Sequence, residues 1–125
     1  MSNVKNNSLE CPEWLSRLCK DVLPDEIKPK RFWDSMVVRL EKAESLHLVS
    51  PTFIAEYALS NSRHWEIEMH ISQIMSEYIS NDKFPDEFPK GLPKVVDVSL
   101  AYAKQAHEAE DMIWRMASLK GRRRA

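Results

Sequence analysis

Apolar residues recur along most of this chain at intervals of three and four, the spacing of one face of an α-helix. Trp14, Leu15, Leu18, Cys19 and Val22 form the first such stripe, opened by Pro12 and closed by Pro24. Proline suits the first helical turn, where its missing N–H loses no partner, and it cannot extend the ladder further on. A second stripe, Trp33, Met36, Val37, Leu40 and Ala43, predicts a helix from about Pro29 to Leu46, with Arg39, Glu41, Lys42 and Glu44 on its solvated face. The join His47-Leu48-Val49-Ser50-Pro51 restarts the chain, with Ser50 as N-cap and Pro51 in the first turn.

From Pro51 to Tyr78 or Ile79 the pattern predicts one long helix, roughly 40 Å at 1.5 Å per residue. Phe53, Ile54, Tyr57, Ala58 and Leu59 open it, and Trp65, Ile67, Ile71, Ile74, Met75 and Tyr78 resume it. Between them Ser60-Asn61-Ser62-Arg63-His64 is polar and poor in helix propensity, a place where the helix can bend. Residues 80–94 hold three prolines and a glycine and read as a loop, with Phe84 and Phe88 to pin it. A fourth helix, about Lys94 to Leu119, carries Tyr102, Ala106, Ala109, Ile113 and Met116 at spacings of four, three, four and three, a heptad-like seam. Two destinations are open to that seam. It packs on the third helix within the chain, or it joins subunits, with Trp114 beside it as an aromatic anchor. The expected fold is all-α, with about four main helices, the third and fourth forming a long antiparallel hairpin. The expected division is a flexible N-terminus over 1–11, one helical domain over 12–119 and a basic tail over 120–125. Within that domain the N-terminal helices occupy 12–46 and the hairpin 51–119.

Charge changes the picture more than composition does. A chain of 125 residues suits one domain, and two glycines against seven prolines disfavour a sheet protein with many tight turns. The 18 basic and 19 acidic side chains nearly cancel, yet four of the basic ones, Lys120, Arg122, Arg123 and Arg124, lie in the last six residues. Without them 14 face 19, so residues 1–119 carry about −5. A cationic end on an acidic body suits a polyanion, nucleic acid first among them, or else keeps the chain soluble. Lys28, Lys30 and Arg31, leading into the second helix, are a second candidate for phosphate contact.

Catalytic signatures are missing. No GxSxG turn, glycine-rich phosphate loop or HExxH pair occurs, and the expectation is no catalytic residue, no metal and no cofactor. His64 with Glu68, and His107 with Asp111, stand four apart and read as ordinary solvated helix neighbours. Cys11 and Cys19 are eight apart, roughly 12 Å along a helix, too far for a disulfide between them. Reduced thiols are expected. Trp14, Trp33, Trp65 and Trp114 could stack on bases, but helical spacing places most of them in a core or an interface. No apolar run is long enough to span a bilayer.

Phe32-Trp33, Leu40, Leu48-Val49-Ser50-Pro51, Tyr57-Ala58, Trp65 and Ile71, followed by Leu92-Pro93-Lys94 and the basic end after Leu119, resemble the small terminase subunits of tailed bacteriophages. The likeness runs over about residues 12–125 and rests on order and spacing. Where the family often has an acidic residue after the turn, this chain has Thr52 and Phe53. The resemblance implies a non-catalytic protein that forms a ring with itself and binds double-stranded viral DNA. It also implies delivery of that DNA to a large terminase subunit in the bacterial host cytoplasm. Two other classes fit the residues: a helical adaptor that binds only protein, and a small helix-turn-helix regulator.

Overall fold

The computed structural model describes residues 9–18, 23–80 and 91–124. Among these residues four α-helices follow one another: α1 over Glu13–Arg17, α2 over Pro29–Lys42, α3 over Pro51–Ser80 and α4 over Leu92–Arg124. Single turns of 3₁₀-helix at Asp25–Ile27 and Leu46–Leu48 lead into α2 and α3. No strand occurs among the described residues. Helices α3 and α4 lie against each other as a long hairpin, α2 crosses one side of its base, and α1 closes over α2.

The first helix is shorter than its stripe predicts. Leu18 turns extended, with ψ 128°, and only Leu15 is fully buried. An isolated turn of helix cannot hold itself in water, so the helix ends where its single buried contact ends. Residues 1–8 and 19–22, Cys19 among them, lie outside the described residues. The second helix also stops early, at Lys42; of its stripe Trp33, Met36, Val37 and Leu40 are within the core, whereas Ala43, at the C-cap, is exposed. A Schellman motif ends it. Ser45 N–H donates to Leu40 O (2.9 Å), Glu44 N–H donates to Glu41 O (2.9 Å), and Glu44 takes the left-handed φ of 54°.

Ser50 caps α3 as expected, its Oγ accepting the Thr52 N–H at 3.3 Å. Val49 before the cap and Ile54 after it share the buried cluster, which fixes the angle at which the chain enters the helix. The third helix then runs unbroken through Ser60–His64 to Ser80.

The fourth helix is longer at both ends than predicted. Gly91, at φ 81°, ends the approach, and Leu92 and Pro93 already belong to the helix. The backbone stays helical through Arg124, so the basic end forms the closing turns of α4. Residues 81–90, with Phe84 and Phe88, lie outside the described residues.

Leu92, Ser99, Ala106 and Ile113, seven apart, are 4%, 1%, 6% and 0% exposed and form the buried edge of α4. Two of the four, Ser99 and Ala106, are small, which lets the two helix backbones approach closely there. The large-residue core sits at the base of the hairpin. There Leu15, Trp33, Met36, Val37, Leu40, Val49, Ile54, Ala58, Ile113 and Ala117 pack together.

Candidate functional site

Within the polar run Ser60–His64, Ser60 and Ser62 face inward. Ser62, 1% exposed, donates from Oγ to Ile27 O at 2.6 Å and ties α3 to the turn before α2. One turn on, His64 and Glu68 converge on Ser99 of α4. Ser99 Oγ lies 2.6 Å from Glu68 Oε2 and 3.1 Å from His64 Nδ1, and Nδ1 is also 3.1 Å from Ser99 O. A carbonyl only accepts, so Nδ1 carries the proton and donates toward Ser99, while the Ser99 hydroxyl donates to Glu68. The proton order is His64 to Ser99 to Glu68.

Three side chains of a hydrolytic triad are thus in contact, but wired differently. In a nucleophilic serine the hydroxyl gives its proton to the imidazole. Here the imidazole is itself the donor, and Ser99 is 1% exposed between two helices. Its oxygen has no approach for a substrate. The arrangement satisfies polar groups inside the hairpin and fixes one helix against the other. Sequence spacing had assigned His64 and Glu68 to a solvated pair. The structure corrects that, because Ser99, the third member, comes from a helix 35 residues away. His107 and Asp111 do stand in solvent, 3.7 Å apart.

A second cluster joins three helices at the base. Arg39 of α2 reaches Glu110 of α4 at 3.0 Å and lies over the Trp114 ring, 5.3 Å from its centroid. Tyr57 of α3 stands beside this pair. Its phenol pKa is raised, first by burial and then by the Glu110 charge, with Arg39 pulling the other way.

The N-terminal cations are largely spoken for. Lys28 Nζ is 2.9 Å from Asp25, and Lys30 Nζ is 2.7 Å from Asp34. Lys28 holds the Asp25 carboxyl below its usual range, and Asp34 raises the Lys30 ammonium pKa. With Glu26 opposing Arg31, this stretch has three acids to three bases. Its formal charges cancel. Arg31 is exposed and makes no ion pair among the described residues. The other cationic candidates, Lys120, Arg122, Arg123 and Arg124, stand on helical backbone, and their side chains lie outside the described residues.

The seam has gone to the intramolecular destination. Ala106, Ala109 and Ile113 are buried within the chain, and Tyr102, Trp114 and Met116 are half-buried. These six were candidate subunit contacts, and two of them, Ala106 and Ile113, are spent on packing within the chain. Trp33 is core, whereas Trp14 and Trp65 are exposed. Trp14 rides on a helix of five residues, too short to bury both its neighbours. Trp65 lies just past the part of α3 that α2 covers.

Cys11 is a free, half-buried thiol whose pKa is raised by burial and by Asp34, so it stays protonated at neutral pH. Among the described residues no group of three metal-binding side chains comes together, and no helix is long and apolar enough to cross a membrane.

The chain matches no family model, no curated protein and no solved structure.

Proposed function

We propose that the chain is a DNA-packaging accessory protein of the small-terminase kind. It is a non-catalytic, self-assembling DNA binder that presents viral DNA to a large subunit holding the ATPase and nuclease, in the bacterial host cytoplasm. Charge segregation carries the reading. About −5 over residues 1–119 meets four cations in the last six residues, and the helix under those cations is continuous with the body. Cations at a helix C-terminus complement its dipole, so the charges that would meet phosphate also favour the helix that presents them. The acidic body repels a polyanion, which leaves the end of α4 as the favoured contact. Because Lys28 and Lys30 are paired with aspartates, Lys120, Arg122, Arg123 and Arg124 rank ahead of them as phosphate contacts. A ring would gather four such charges from each copy and gain avidity that one end lacks.

The deciding measurement is duplex-DNA binding by fluorescence anisotropy as salt is raised from about 50 to about 200 mM. The full chain should lose affinity steeply with salt. Deleting residues 120–125 should reduce the log–log slope by about 3.6 if all four cations meet phosphates. An unchanged slope would move the contact to Arg31 and its neighbours.

A second reading, an adaptor that binds only protein, is favoured by the apolar side chains exposed on the hairpin, Trp65 and Leu100 foremost. On that reading the full chain ignores DNA even at about 50 mM salt, where non-specific electrostatic binding is strongest.

A further inference from the structure

We infer that each copy of this chain docks Trp65 and Leu100 into a groove at the base of the hairpin of the next copy. This deepens the self-assembly in the proposed function and rests on that reading for copies associating at all.

The two surfaces lie on opposite sides of one hairpin. Ala58, Trp65, Ser72 and Ile79 recur at sevens on α3 and so share a stripe. Ala58 is fully buried at the base, where α2 crosses the hairpin, yet Trp65 is 46% and Ile79 59% exposed. The matching stripe on α4 is Trp114, His107 and Leu100. Trp114 lies under Arg39 of α2, and Leu100 is 61% exposed. Helix α2 therefore covers this side only at the base, and large apolar groups continue bare beyond its end. On the side away from α2, the base carries a groove of about 490 Å³. Phe53, Leu59, Ala109 and Met112 make its floor, and Glu56 and Glu108 stand at its rims. That volume admits an indole and a leucine side chain together.

Charge agrees with shape. Glu56 and Glu108 make no ion pair among the described residues, and neither does Lys104, exposed one turn beyond Leu100. Seating Leu100 in the groove brings Lys104 to a glutamate rim. One copy cannot fill its own groove, because projection and groove face opposite ways at different heights along the hairpin. The contact is heterologous. Each copy offers one projection and one groove, and repetition closes into a ring wherever the rotation allows.

The test is native mass spectrometry with sedimentation on the full chain and on four exposed-site variants, each checked for helicity and melting temperature. The full chain should be a closed oligomer. Trp65→Glu, Leu100→Glu and Met112→Glu should each weaken association by at least about 30-fold, the loss of one interface anchor. Val38→Glu, on the exposed face of α2, should change nothing. Mixing Trp65→Glu with Met112→Glu should give a species of two chains and no larger, since one brings an intact groove and the other an intact projection. A monomeric full chain overturns the self-assembly reading and this docking together. An oligomer that all these variants leave intact overturns the docking alone. Loss on Trp65→Glu with none on Met112→Glu replaces it with symmetric pairing of the Trp65 side.

Discussion

Glu44 holds a φ of 54°, where the Cβ of an L-residue crowds the following carbonyl at roughly 1–2 kcal/mol. Glu44→Gly keeps both Schellman bonds and should raise the unfolding free energy by about 0.5–1 kcal/mol, less whatever the carboxylate contributes. Urea denaturation checks this as a higher midpoint at unchanged slope. The converse holds at Gly91, at φ 81° with nothing within 4 Å of an added Cβ. Gly91→Ala meets no neighbour, so its cost is backbone strain alone, about 1 kcal/mol by the same assay. Gly91 was legible in the sequence as punctuation. Glu44 was not, because glutamate carries no preference for left-handed backbone, and the end of α2 was placed too late for that reason. Tyr57 gives a pH signature. Its raised phenol pKa means that the folded chain holds this proton to higher pH than the unfolded one. The associated stability is complete below the ordinary value of 10.0 and is lost as pH rises through the folded value. Tyr57→Phe should flatten the alkaline fall of melting temperature relative to the unchanged chain.

Between elements, the contact of His64, Glu68 and Ser99 sets which turn of α3 meets which turn of α4. Ser99→Ala leaves the Glu68 carboxylate without its donor, while His64 Nδ1–H keeps the backbone carbonyl of residue 99; the loss should cost about 1–3 kcal/mol. A double-mutant cycle of Ser99→Ala with Glu68→Ala should show coupling of about 1 kcal/mol or more. Strict additivity would mean the contact contributes nothing. Helix number, order and the hairpin were all legible, because two stripes of sustained period need each other to leave water. The contact itself was not. Periodicity scores serine, asparagine and histidine as outward, whereas here Ser62, His64 and Ser99 find partners across a boundary no local pattern describes. At Lys28–Arg31 it was the partners of the cations that went unread. Counting cations along the chain took no account of Asp25 and Asp34, which sit one helical turn from Lys28 and Lys30 and neutralise them.

At the scale of the whole molecule, burial is uneven. The base of the hairpin has a third layer in α2, and the distal half has two helices and the Ser99 contact. Amide exchange followed by mass spectrometry should therefore be slowest around Ile54, Ala58 and Ile113. It should be faster over Ser72–Ser80 and Leu92–Val98, where fewer apolar contacts oppose local opening. Equal protection along both helices would contradict this picture. The hold of Arg39 on Trp114 has a mechanical consequence. From Trp114, α4 runs ten residues to Arg124 and twenty-two back to Leu92, arms of about 15 Å and about 33 Å. A rigid tilt of the hairpin about that contact would make it a lever with its fulcrum near the basic end. A tilt about that point swings the two tips in opposite directions, and the distal tip travels about twice as far. Whatever presses on the long arm delivers about twice its force, over half the distance, to the end that carries the four cations.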